Sequence, residues 1–168
     1  MKGEPGHQDA ELRTKFSINA VKDAGIPVEK LDEDTANWDR VQGQEKMSAF
    51  LASHGGQIEA VFANNDDMVL GAIDALKANG YFKENKRIPV VGVNATAPAL
   101  KAMEDGTLVG TVLNDVVNQG KAIFALTCIL ASGQSPRKES LGFDIRDGKY
   151  IWVPYKKITN KAEVDIHE

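Results

Sequence analysis

Three short runs set the architecture: IEAVFAN at 58–64, RIPVVGVN at 87–94 and TLVGTVLND at 107–115. Each passes from β-branched apolar residues into asparagine or aspartate, and then into a helical pattern. A short run that is apolar throughout marks a strand covered on both faces, so helices must lie above and below it. The helical segments supply that cover. The stretch from 9 to 23 sets Leu12, Phe16 and Ala20 four apart as its inward face, with Gly25 as its stop. IPVEKL at 26–31 reads as a strand. A helix over 39–54 turns Val41, Met47, Phe50 and Leu51 inward before Gly55 and Gly56 end it. The next helix carries Val69, Ala72, Ile73 and Leu76 up to Gly80, another carries Leu100 and Met103, and the last runs from 116 to 131. Alternation of this kind implies right-handed crossovers and a doubly wound, mainly parallel α/β sheet.

In such a sheet ligands bind beyond the carboxyl ends of the strands. The residues at those corners are polar throughout. His7 and Asp9 follow a first strand reduced to Met1 and Lys2; Trp38 follows the second; Asn64 and Asn65, Asn94, and Asn114 with Asp115 follow the rest. Simpler readings exist for single residues. Asp9 and Arg13 can form an i,i+4 surface pair, and Asp66 and Asp115 can be plain helix caps. The set asks for more, because capping needs one side chain per corner and accounts for neither Asn65 nor a tryptophan between DTAN and DR. Carboxylate, guanidinium, imidazole and amide groups around one indole suit a ligand with a polar rim and one apolar face. A pyranose sugar has that form.

Other chemistries lack their residues. A formal net charge of -4 offers no basic stripe for phosphates, which argues against nucleic acid as a partner. No phosphate cradle, zinc motif or calcium loop is recognisable, and no nucleophile–base pair stands out. Of the three histidines, only His7 lies at a corner. The single cysteine, Cys128, excludes an internal disulfide and reads as a buried, inert thiol within an apolar helix. A small α/β enzyme acting on sugars is the reading that these absences disfavour. No stretch is long enough to span a bilayer, and the opening residues lack a signal-peptide pattern.

The segments KGEPGHQDAELRT, DTANWD, FANNDDMVLGAIDALKA, PVVGVNATAPAL and GTVLNDVVNQGKA resemble, in order and spacing, the bacterial periplasmic galactose/glucose-binding proteins. The resemblance extends to YIWVPY at 150–155. It implies one lobe of a two-lobed type I periplasmic binding protein fold, truncated at its first strand. It also implies a non-enzymatic protein of the periplasm that loads a hexose and presents it to an ATP-driven membrane sugar transporter and a chemoreceptor. On this resemblance His7, Asp9 and Arg13 bond ring hydroxyls, Trp38 stacks on the sugar, and Asn65, Asn94 and Asn114 complete the set. The family has an aspartate where this chain has Asn94, so a charge-assisted bond worth roughly 1.5–3 kcal/mol weakens there. Glu59 would be the one surviving ligand of the family's calcium loop. Residues 1–114 and 154–168 would form the carboxyl-terminal lobe, and residues 115–153 an arm belonging to the other lobe. An arm without its lobe is expected to cover its apolar helix by pairing in a homodimer. The effector lobe of a sugar-responsive transcription repressor shares this fold and is the alternative reading.

Overall fold

The computed structural model describes residues 1–160 and Ala162. It divides into two units: Met1–Val112 with the segment from Lys157 on, and Leu113–Lys156. The tail of the lobe assigned to 154–168, with His167, lies outside the described residues.

In the first unit the elements alternate as the sequence dictates: α1 (Gln8–Asp23), α2 (Arg40–His54), β1 (Val61–Phe62), α3 (Asp66–Ala78), β2 (Val90–Val91), α4 (Ala97–Glu104) and β3 (Thr111–Leu113). β1 and β2 are parallel, with Val61 opposite Val90. Val91 bridges Gly110 in parallel, and β3 pairs with β6 (Lys156–Ile158). The two residues of the first strand are seated inside this sheet. Lys2 bridges Thr35 in parallel on one side. On the other, the Met1 amino group donates to Phe62 O at 2.8 Å and Asn64 N donates to Met1 O at 3.1 Å. The strand order is therefore 34–36, 1–3, β1, β2, 109–113, β6.

The core lies where α2 and α3 meet β1 and β2. Met47, Met68, Val69, Ile73, Leu76 and Val90 are buried there. Two glycines set how close the helices come. A Cβ on Gly71 would lie 1.9 Å from Arg40 O, and one on Gly43 would lie 2.5 Å from Met68 O, so neither backbone can carry a side chain at the crossing. α2 starts at the Asp39 cap, whose carboxylate accepts from Gln42 N, and stops at Gly55. Gly80, at φ +79°, ends the turn after α3.

Four sequence expectations fail here. The face of α1 turned toward the protein carries buried Ala10 with half-buried Arg13, Thr14, Ser17, Ile18 and Val21, while Leu12, Phe16 and Ala20 are exposed. Hydrogen bonds from Arg13 and Thr14 to Asn64 decide the rotation of this helix, outweighing its apolar stripe. Val41 is exposed because its neighbour Gly43, not Val41, meets α3. IPVEKL forms no strand, since no paired strand runs beside it. Cys128 is exposed, because only Ala122 is fully buried along its helix.

The second unit holds α5 (Val116–Ala131), α6 (Lys138–Leu141), and an antiparallel pair of β4 (Ile145–Arg146) and β5 (Tyr150–Ile151). Asp115 caps α5, as its position suggests, by accepting from Asn118 N. Ile123, Phe124 and Leu130 of α5 are exposed.

Candidate functional site

The corner after Met1–Gly3 is built on glycine. Gly3 has no room for a Cβ, because the six-membered ring of Trp38 lies directly against its backbone. Trp38 and Asn37 both hold positive φ, +66° and +47°, which is costly for residues with side chains. Asn65 fixes this bend by donating from Nδ2 to Trp38 O at 3.0 Å. The indole meets His7 edge to face, with ring centroids 5.1 Å apart, and the Arg13 guanidinium lies 5.9 Å from its centre. His7 caps α1 by accepting from Asp9 N at Nδ1. Arg13 then ties the corner together, donating to Asp9 Oδ2 at 2.7 Å and to Asn64 O at 3.0 Å. His7, Asp9, Arg13 and Trp38 thus form one cluster of donors and acceptors around an aromatic ring.

The paired asparagines have different tasks. Asn64 is fully buried, accepts from Gly3 N and exchanges bonds with Thr14, so it staples the first strand to α1. Asn65 caps α3 by accepting from Met68 N, in the role the sequence reading gave to Asp66. Asp66 instead points across the sheet ends. It is fully buried and accepts from Thr96 N and Thr111 Oγ1, both at 2.8 Å. Burial pushes its carboxyl above the usual range against the pull of those two bonds. It therefore anchors the loop that carries Asn94.

Asn94 sits at φ +132° and Ala95 at +57°, in a loop held by Asn94 N donating to Val112 O at 2.8 Å. Among the described residues its side-chain amide has no hydrogen-bond partner, and it is half-buried. Asn114 lies in the second unit, where its Oδ1 accepts from Gln119 Nε2 at 2.6 Å. Six of the seven corner residues thus belong to the first unit. Of these six, His7, Asp9, Arg13, Trp38 and Asn65 are linked by direct contacts; Asn65 is buried, while His7 is exposed and Asp9, Arg13 and Trp38 are half-buried. A cavity of about 700 Å³ lies elsewhere, beside Ile58–Phe62.

Glu59 is exposed, and no group of three His, Cys, Asp or Glu side chains among the described residues is placed to hold a metal ion. Calcium requires six to eight oxygens, so these residues do not fit a calcium site. No helix among the described residues is long and apolar enough to cross a membrane. Sequence reading missed Asn64 and Asp66 as internal anchors. Their signal was the unbroken polar run NNDD, which contains more polar groups than one cap requires.

Residues 1–135 match the periplasmic binding protein domain family. The D-galactose/methyl-galactoside binding periplasmic protein of Haemophilus influenzae is 44% identical over 156 residues, which is 92% of this chain and 45% of that protein. The ribose import binding protein of Escherichia coli K12 is 34% identical over 107 residues, 64% of this chain and 30% of the relative. A solute binding protein from Bacillus halodurans, solved with bound myo-inositol, superposes with a TM-score of 0.72 at 36% identity, covering 97% of this chain and 52% of that structure. A galactofuranose binding protein gives a TM-score of 0.77 at 27% identity and the same two coverages. The chain spans about half the length of the relatives it matches. Its strand order, its polar strand ends and these matches agree: the chain belongs to the periplasmic binding protein family and has the α/β fold of one type I lobe.

Proposed function

We propose that this chain forms the carboxyl-terminal half of a sugar-binding site that serves ABC-type uptake, with a hexose such as D-galactose or D-glucose as ligand. The observation that carries this reading is the cluster of His7, Asp9, Arg13 and Trp38 at the strand ends. The indole suits the C–H patch of a pyranose, Asp9 accepts from hydroxyls, and Arg13 donates to them. Asn65 holds the tryptophan in place and keeps a second amide N–H. Asn94 and Asn114 add neutral amides, with Asn94 offering a weaker acceptor than a carboxylate. The 44% identity to a galactoside-binding relative supports a hexose, while relatives that take ribose or myo-inositol mark the range of polyols to compare.

In this reading residues 1–114 and 154–168 make the lobe, residues 115–153 are an arm that packs on a partner lobe, and the protein works in the periplasm. The loaded protein is read by a membrane transporter and a chemoreceptor. The exposed Ile123, Phe124 and Leu130 of α5 support pairing of the arm in a homodimer, which light scattering at tens of micromolar detects. A strict monomer refutes that part.

A sugar held on one open face keeps solvent on its far side, so its bonds gain little net energy. Quenching of Trp38 fluorescence, in a Trp152→Phe background, should saturate only at millimolar galactose or glucose and vanish in Asp9→Ala. Absence of any saturable response to hexoses, ribose or myo-inositol would refute the reading, whereas micromolar affinity in the isolated monomer would keep the sugar site and refute the argument that this chain holds only half of it.

A further inference from the structure

The Trp38 indole has a backing, and that backing is a glycine. A Cβ on Gly3 would lie 2.1 Å from Cζ2 of Trp38 and 2.3 Å from both Cε2 and Cη2. Cζ2 sits between those two atoms in the six-membered ring. Near-equal distances to all three put the Cβ position over the face of the ring, because a Cβ beyond the ring edge would be much farther from the outer two atoms than from the middle one. One face of the indole therefore rests on the bare backbone of Gly3.

Both sides of this contact are pinned from the end of β1. Gly3 N donates to Asn64 Oδ1 at 3.0 Å, and the backbone beside it is paired through Lys2 N to Asp34 O and Ala36 N to Lys2 O. Trp38 O accepts from Asn65 Nδ2 at 3.0 Å, which holds the residue at its φ of +66°. Asn64 thus fixes the support and Asn65 the residue that carries the ring. The same ring meets His7 edge to face at 5.1 Å and the Arg13 guanidinium at 5.9 Å. Any shift of the indole disturbs both of these groups.

We propose that Gly3 is a positioning residue of the sugar site. Its bare backbone sets the height and tilt of the indole, and the fixed indole selects a ring-closed sugar over an open-chain polyol with the same hydroxyl pattern. The inference rests on the sugar-binding reading above. A pyranose presents its C–H groups as one rigid patch, and an indole already in place loses no freedom on covering it. An open chain must freeze several torsions to present the same patch. Gly3→Ala removes the support. Ordinary contact begins near 3.4 Å, so the ring has to lift by more than 1 Å from a backbone that its own hydrogen bonds keep from retreating.

The test is a cycle of Gly3→Ala, Trp38→Phe and the double variant in the 168-residue chain, with Trp152→Phe throughout. A phenyl ring ends short of Cζ2 and Cη2, so it leaves room for the new methyl group. Ligand-observed NMR follows galactose and galactitol, near-ultraviolet circular dichroism follows the indole, and urea midpoints follow stability. Gly3→Ala alone should change the Trp38 band, lower the urea midpoint, and weaken galactose about tenfold but galactitol less than about threefold. Added to Trp38→Phe, it should change neither the midpoint nor galactose affinity by more than about twofold. The proposal is overturned if Gly3→Ala has the same effect in both backgrounds, if the Trp38 band is unchanged, or if galactose and galactitol weaken alike. A double variant that fails to fold where Trp38→Phe folds overturns it too, since something other than the indole then fills the space. A parent chain that responds to neither compound refutes the sugar reading and the ring preference with it, while the Trp38 band and the urea cycle still decide whether Gly3 sets the indole.

Discussion

Gly71→Ala is the sharpest probe of how the site is framed. The new Cβ would lie 1.9 Å from Arg40 O and 2.7 Å from Gln44 N, both backbone atoms that no rotamer change can move. Ordinary contact needs more than 3 Å, so the two helices must part by about 1 Å or more at their crossing. A gap of that size forfeits a quarter to a half of each dispersion contact along it, and overpacking of this kind costs about 1–3 kcal/mol. Helix propensity works the other way by about 1 kcal/mol. The net expectation is a loss of about 1 kcal/mol, or 2–4 °C in Tm for a chain of this size. The separation also moves the start of α2, next to Trp38, away from Asn65, so the Trp38 emission should shift as the Asn65-to-Trp38 bond loosens. Gly120→Ala is the control: no atom lies within 4 Å of a Cβ there, so the same substitution should gain about 0.5–1 kcal/mol for α5. Urea unfolding of both variants checks the pair. If Gly71→Ala were as stable as the parent, with Trp38 emission unchanged, the close crossing would not frame the site.

Asp66→Ala strands the Thr96 N–H and the buried Thr111 hydroxyl and should cost about 2–4 kcal/mol by urea midpoint. Asp66→Asn, which can accept from one and donate to the other, should cost less than half of that. Burial lowers the Met1 amino group from near 8.0 to about 6, against the opposing pull of Glu33 and Asp34. The folded state thus binds this proton less tightly than the unfolded state does. Stability from this group is fully present above pH 8 and is lost as pH falls to 6, by up to about 2.5 kcal/mol. Urea midpoints across pH 5.5–8.5 should show that slope, and amino-terminal acetylation should flatten it.

What could be read from the chain depended on whether a residue's role is set by its neighbours in sequence or by those across the sheet. α2, α3, α4 and α5 were legible because caps and apolar spacing lie within each segment: Asp39, Asp115, Gly55 and Gly80 act where they stand. The corners after the strands were legible too, since their placement follows from the alternation alone. The division of labour within a corner was not. Asn64, Asn65 and Asp66 are adjacent polar residues, yet one staples α1, one caps α3 and bends Trp38, and one crosses to Thr96 and Thr111. Only partners 27 to 50 positions away distinguish them. The same cause turned α1. Its Leu12 and Phe16 stripe predicts one face, but burying that face would have left Asn64 without Thr14 and Arg13, and a buried amide without partners costs more than an exposed leucine gains. Gly43 and Gly71 did carry a local signal, because a glycine inside a helix forgoes about 1 kcal/mol and therefore calls for a close neighbour. What sequence could not supply was the neighbour itself, and so adjacent polar residues of one corner read alike until the distances separate them.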